Sequence, residues 1–312
     1  MREATAVLIH LFLLLVVSPL VTGFMRWAKA RLQTRQGPGI LQPYWDLFKL
    51  FQKGMVIPET ASWLFRATPY VVFATAVAAG LMVPMVSTFV PLSMAGGILA
   101  VVYLLGFGRF FLALGGLDTG SSFGGLGSSR EMTISALAEP ALMLAAFTVA
   151  IGANSTNLSE VARAAVGETW RFLAPSQVLA SAAMFVVLLA ETGRIPVDNP
   201  ATHLELTMIH EAMLLEYSGP YLALIEWGAW VKQLLLMTLL INSFFPYGMQ
   251  TGWSWAGTAT GLALVLLKLT ALSCCIVLVE TTNAKMRLFR VPELLAASFT
   301  LGALALASTF LF

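Results

Sequence analysis

Charge is scarce in this chain of 312 residues. Asp, Glu, Lys and Arg make up 11% of it against 58% apolar residues, which excludes an ordinary soluble globular domain. Cysteine is rarer still, with only Cys274 and Cys275, adjacent in an apolar stretch. Neighbouring cysteines rarely form a relaxed disulfide. Without a Cys-x-x-Cys pair the usual spacing for zinc or an iron–sulfur cluster is absent, so no metal is expected in this chain. The short alternating strands of a membrane β-barrel are missing too. So are a Gly-x-Gly-x-x-Gly turn after a strand, a Walker phosphate loop and the His-Glu-x-x-His zinc pattern. No convincing internal repeat of the kind expected in a free-standing transporter is present, and nucleic acid is not an expected partner.

What the sequence has in abundance is long apolar runs. Eight approach or exceed the length of roughly 20 residues needed to cross the hydrocarbon core: 6–24, 69–91, 95–114, 132–152, 177–192, 221–245, 256–280 and 292–312. The expectation is an all-α integral membrane protein, a single polytopic domain over 1–312. The first span carries His10 and is followed by Arg26, Lys29 and Arg31, a stop-transfer pattern that marks a retained span rather than a signal peptide. Basic residues cluster in the loops after spans one, three, five and seven. That bias puts the elaborate loops 25–68, 115–131 and 193–220 in the cytoplasm and both termini outside.

The stretch "RQGPGILQPYWDLFKLF" opens on a Gly37-Pro38-Gly39 turn and continues as a helix. Leu41, Tyr44, Trp45, Phe48, Phe51 and Met55 recur at helical spacing, with Asp46, Lys49 and Lys53 on another stripe. That is an amphipathic helix lying in the lipid interface after the first span. The second loop, "GGLDTGSSFGGLGSSRE", ends in Ser128-x-x-Glu131, the spacing of a capping box before span four. Its glycines indicate a closely packed loop, since they fit no phosphate-binding spacing.

The third loop concentrates the acids. Glu191, Asp198, Glu205, Glu211 and Glu216 lie in "ETGRIPVDNPATHLELTMIHEAMLLEYSGP", together with His203 and His210. Thr202-x-x-Glu205 has capping-box spacing, so 203–215 is expected to be helical. Carboxylates set among apolar spacers hold their protons to higher pH than solvated ones and can exchange them near neutrality. This loop is therefore a candidate proton-handling segment. Within the spans, Arg109, Glu139, Glu226, Lys232, Lys268 and Glu280 are ionisable groups at membrane depth, where each is costly and functional by default. Arg109 keeps its charge and is best read as a static partner. Glu139, Lys232 and Lys268 carry exchangeable protons and are the stronger relay candidates.

Together these motifs resemble the heel subunit of respiratory complex I. Arg35, Gly37, Pro38, Gln42, Pro43, Asp46, Lys49 and Leu50 match its Arg-x-Gly-Pro-x-x-x-Gln-Pro-x-x-Asp-x-x-Lys-Leu signature. "EPALML" around Glu139, "ETGRIPVD" (with Val197 in place of Phe) and "LEYSG" resemble its later elements. "GLDTGSSFGGLGSSRE", "EWGAWVKQL" and "ETTNAKMRL" are similar to the homologous membrane subunit of group-four hydrogenases, of the formate hydrogenlyase and hydrogenase-four type. The segment 196–216 is longer than is usual in either branch.

The resemblance implies an energy-coupling membrane anchor of an oxidoreductase complex. Its partners would be peripheral hydrogenase-like large and small subunits bearing iron–sulfur clusters and a nickel–iron site, antiporter-like membrane subunits and membrane lipid. It implies no cofactor in this chain, and the alternative is a quinone-chamber subunit of a complex I-type enzyme. The coupling candidates are Glu139, Glu191, Asp198, Glu205 and Glu216, with Lys232 and Lys268 added from burial. His210, Glu211, Glu226 and Glu280 are secondary. The arm-docking candidates are Arg35, Gly37, Pro38, Gln42, Asp46, Lys49 and Arg130.

Overall fold

The apolar runs fold into helices in the computed structural model, which describes residues 2–92, 97–167, 174–199, 208–251 and 255–311. The first span is α1 (Arg2–Phe12), a π-turn (Leu13–Val17) and α2 (Ser18–Leu32). It is followed by α3 (Gln42–Gln52), α4 (Trp63–Gly80), α5 (Ile98–Asp118) and α6 (Ser122–Gly152). The remainder is α7 (Leu158–Gly167), α8 (Pro175–Glu191), α9 (Gly219–Phe244), α10 (Trp255–Thr282) and α11 (Val291–Ser308). Among the described residues there is no strand, only isolated bridges such as Ser87 to Gln250.

Six stretches are long and apolar enough to cross a membrane by length and composition: Val7–Leu32, Ile98–Asp118, Ser122–Gly152, Gly219–Phe244, Ala256–Thr282 and Leu288–Ser308. Pro175–Glu191 is a shorter apolar helix. The run expected at 69–91 is displaced, since α4 begins at Trp63 and ends at Gly80. Its start is fixed by capping: Ser62 Oγ accepts from Leu64 N at 3.1 Å. Asp118, at the end of α5, accepts from Ser62 N at 2.7 Å and Phe65 N at 3.3 Å. A carboxylate there satisfies free donors and complements the helix dipole.

The glycine-rich "loop" at 115–131 is instead almost entirely helical. Only residues 119–121 connect α5 to α6. Ser121, not Ser128, caps α6, its hydroxyl accepting from Gly124 N at 3.1 Å. Ser128 lies two turns inside and donates to the Ala113 carbonyl at 2.8 Å. Its glycines serve close helix packing: a Cβ on Gly116 would come 2.8 Å from Ser128 Oγ and 3.3 Å from Met213. The helix expected over 203–215 is also not borne out in its described part, where only Glu211–Met213 form a single 3-10 turn. His203 and Glu205 lie outside the described residues.

The bundle is built around α9. Leu234, Leu235, Leu236 and Met237, four consecutive residues, are all fully buried, so this helix is enclosed on every side. It packs against α2, α3, α4 and α8, while α6, α8 and α11 form a second packed group. The surface helix α3 docks on α9 by burying Leu47 against Ala223 and Trp230. Its aromatic stripe splits, since Trp45 and Phe48 are exposed rather than packed on this chain. That leaves Trp45 and Phe48 for the lipid interface, as expected of such a helix. Tyr44 turns inward.

Candidate functional site

Helix α6 sets three oxygen-bearing side chains at intervals of four residues, Glu131, Ser135 and Glu139. Positions so spaced lie above one another on one helix face. That face meets Arg109 of α5. Arg109 Nη1 donates to Glu139 Oε1 at 2.8 Å and to the Ser135 hydroxyl, and Ser135 in turn donates to Glu139 at 2.9 Å. Arg109 Nη2 donates to Glu191 at the end of α8, and Glu131 Oε1 lies 3.6 Å from Nε. Lys232 of α9 completes the cluster 2.8 Å from Glu191.

Glycine makes room for this hub. A Cβ on Gly106 would come 3.2 Å from Glu139 Oε1, and one on Gly108 would collide with the Thr75 hydroxyl. "Gly-Phe-Gly-Arg" at 106–109 therefore brings α5 close to α4 and α6 where Arg109 must reach across. The guanidinium is the right group for the position: it stays charged, and its planar fork donates in several directions at once. Arg109 and Glu191 have 5% and 3% side-chain exposure, whereas Glu139 retains 35%. Within this chain the hub is most enclosed around Arg109 and Glu191 and least covered at Glu139. Two cations face three carboxylates here.

A second network centres on Glu280 of α10, which is buried. Lys29 Nζ lies 2.8 Å from one of its oxygens and Arg194 3.2 Å from the other. Arg194 also donates to Gln233 Oε1 at 2.7 Å, and Gln233 Nε2 contacts Met25 Sδ at 2.9 Å. Asp198 forms a third node: it pairs with Lys285 at 2.7 Å and accepts from Asn199 N and Ile209 N. The Ile209 donor ties that residue back to Asp198, eleven positions earlier.

A cavity of about 600 Å³ runs between these networks. Its wall includes Arg26, Lys29, Gly37, Arg109, Glu191 and Lys232, with apolar Val72, Leu105 and Ile225 between. The size and the mixed lining suit a small amphiphile or a body of water. Among the described residues no group of three or more His, Cys, Asp or Glu is arranged to hold a metal ion.

The residues singled out from the sequence are distributed unevenly. Glu139, Glu191 and Lys232 meet at Arg109, and Glu280 and Asp198 each anchor a separate node. His210 and Glu211 line the cavity. Glu216 is exposed, Glu226 is half-buried on α9, and Glu205 is outside the described residues. Lys268, expected inside from its place in mid-helix, is only half-buried and donates to the Phe245 carbonyl at 2.7 Å, apart from both networks. Of the docking candidates, Arg35, Gly37, Pro38, Gln42 and Lys49 are exposed. Asp46 is engaged by Gln42 at 2.9 Å and Arg26 at 3.6 Å, and Arg130 holds the Met208 carbonyl at 2.8 Å.

Sequence reasoning missed Lys29, Arg194 and Gln233, and read Glu131 as a cap. The four-residue spacing of Glu131, Ser135 and Glu139 was the available signal for the last. The others are joined only by tertiary packing.

The sequence profile of the NADH dehydrogenase family matches residues 4–311. Formate hydrogenlyase subunit 4 of Escherichia coli (strain K12) is 35% identical over 301 residues, covering 96% of this chain and 97% of that protein. Hydrogenase-4 component C of the same organism is 37% identical, covering 94% and 91%. One subunit of the NADH-quinone oxidoreductase of Rubrobacter xylanophilus is 28% identical, covering 83% and 82%. Among solved structures, a chain of the membrane-bound sulfane sulfur reductase, an archaeal respiratory membrane complex, shares the fold. Its TM-score is 0.86 at 19% identity, over 98% of this chain and 99% of that one.

Proposed function

This chain belongs to the NADH dehydrogenase family, and on that premise we propose that it is the membrane-anchoring and energy-coupling subunit of a multisubunit, hydrogenase-like redox complex. The observation that carries this reading is the fuller and closer likeness to the formate hydrogenlyase and hydrogenase-4 subunits than to the quinone oxidoreductase subunit. In this role the chain is multi-pass, in the cytoplasmic membrane, with its elaborate loops on the cytoplasmic side and its termini outside. Peripheral large and small subunits bearing iron–sulfur clusters and a nickel–iron site sit on those loops. Antiporter-like subunits pack beside it in the membrane.

The buried networks supply the coupling. Three carboxylates share two cations around Arg109, and Glu191 touches both cations, so the one excess proton resides on Glu131 or Glu139. Its position decides which carboxylates Arg109 and Lys232 hold. A charge change at the cytoplasmic surface reaches this hub through the cavity and the Asp198 node. Glu139, the most open member, passes the proton onward.

The test is isolation of the assembled complex through a tag on this chain. A nickel-bearing hydrophilic subunit is expected to come with it, and Glu139→Gln or Lys232→Met is expected to abolish ion translocation while redox turnover persists. Purification alone as an active transporter sinks the proposal. Undiminished translocation in both variants reduces the chain to a plain anchor. The cavity favours one second reading, a quinone chamber, which labelling of its wall by a photoreactive quinone analogue would support.

A further inference from the structure

The first span breaks its own helical register. Leu13–Val17 form a single π-turn, wider than the α-helix on either side of it. The sequence supplies a cause in Pro19. Lacking an N–H, it cannot donate to the Leu15 carbonyl four residues back, and its ring crowds that carbonyl. Two side chains from distant segments occupy the opening. Trp227 of α9 donates Nε1–H to the Leu15 carbonyl at 3.1 Å. Tyr44 of α3 donates its hydroxyl to the Val16 carbonyl and accepts a hydrogen bond from the Leu20 backbone. Val16 and Leu20 are the partners an α-helix would pair directly, so the Tyr44 oxygen stands inside the ladder.

A π-turn sets the angular phase of the helix that follows it. An α-helix turns by roughly 100° per residue, so absorbing the extra residue would swing α2 by about that angle relative to α1. The upstream part is held, since His10 Nε2 lies 3.0 Å from the Gly80 carbonyl at the end of α4. The downstream part carries Arg26, 3.6 Å from Asp46, and Lys29, 2.8 Å from Glu280. A swing of that size removes both cations from their partners.

We propose that Tyr44 and Trp227 are positioning residues that hold the π-turn open, and thereby keep Lys29 on Glu280 and Arg26 on Asp46. The surroundings fit this role. Trp227 is wedged between Phe73 of α4, at 5.1 Å, and Phe51 of α3, at 6.4 Å. Tyr44 rides on the surface helix, whose other anchors are Leu47 on Trp230 and Asp46 on Arg26. A displacement of α3 therefore acts first on the π-turn and through it on the Glu280 network. The inference rests on the geometry of this chain and goes beyond the function proposed above.

Carbodiimide coupling tests it in the intact membrane complex. A membrane-permeant carbodiimide joins the Lys29 amine to the Glu280 carboxylate as an amide, the water lost being taken up as the urea. Peptide mass spectrometry reads the product. The Lys285–Asp198 pair, at 2.7 Å and away from the first span, is the internal reference. In Y44F/W227F the Lys29–Glu280 yield is expected to fall about tenfold, the scale of one or two lost hydrogen bonds, with the reference unchanged. Pro19→Ala restores the missing N–H and is expected to produce the same selective fall. A wild-type Lys29–Glu280 yield in these variants overturns the proposal. Should the double variant not assemble, Y44F and W227F singly carry the same two outcomes. Because the readout is a bond within this chain, its failure leaves the redox-complex reading intact.

Discussion

The Lys232 ammonium lies 2.8 Å from the Glu191 carboxylate that also holds Arg109. The next residue, Gln233, accepts from Arg194 in the Glu280 network. Two consecutive positions of the most enclosed helix therefore face two different clusters of buried charge. Charges taken out of water depend on their partners for solvation, so each member of such a cluster constrains the others. Helix α9 is the element through which the clusters can sense one another.

Removing one partner should cost more than removing both. Lys232→Met leaves Glu191 with Arg109 alone and is expected to lower stability toward the low end of roughly 3–5 kcal/mol. Adding Glu191→Gln removes the carboxylate charge left in excess and should restore part of that loss. Thermal unfolding of the purified complex measures both. A double variant as unstable as the sum of the singles would show that the pair is not coupled.

Arg109→Lys keeps the charge and loses the fork. A single ammonium cannot reach Ser135, Glu139 and Glu191 together, so at least one buried carboxylate loses a charge-assisted hydrogen bond, worth about 1.5–3 kcal/mol. The complex is expected to assemble and turn over, with fewer ions moved per electron pair. Vesicle measurements of the ion-to-electron ratio decide it, and a wild-type ratio would exclude Arg109 from the coupling path.

Much of this architecture was legible in the sequence, for physical reasons. Long apolar runs had nowhere to go but into helices, and charges inside them had to find partners, so Glu139 and Lys232 stood out, while Glu191 was visible only as one acid of the third loop. The 115–131 segment misled because glycine and serine serve two ends: they break helices in water and allow close contact between helices in a membrane. Gly116 and Gly124 do the latter. Lys29 was counted as a loop charge for orientation, since nothing local shows that α2 extends to Leu32 and aims it at Glu280. The π-turn was equally hidden, although Pro19 was visible. Its donors come from residues 44 and 227, and only the fold brings them there.

Tyr44 should titrate late. Burial outweighs the stabilising Leu20 N–H and raises its phenol above the ordinary value, which is about 10. The group must stay protonated to donate to Val16. Its contribution is therefore intact below the ordinary phenol range and is lost only as pH rises through the raised value. An ultraviolet tyrosinate titration of wild type minus Tyr44→Phe is expected to show one phenol ionising above the ordinary phenol range. Ionisation within the ordinary range would mean that the hydroxyl is solvated and the ladder closed.

Charge reversal on α3 should separate docking from anchoring. Lys49 is exposed, whereas Asp46 is tied to Gln42 and Arg26 within the chain. Lys49→Glu thus changes only the outward surface and is expected to release the peripheral subunits while this chain stays in the membrane. Asp46→Asn loosens a half-exposed pair worth at most about 1 kcal/mol and should leave the arm attached. Salt sensitivity gives the second readout, because contacts between exposed charges weaken as ionic strength rises. Arm retention in Lys49→Glu at both low and high salt would move the docking surface off this helix. The exposed Arg35-Gln36-Gly37-Pro38 turn is then the next candidate, and Arg35→Glu repeats the test there.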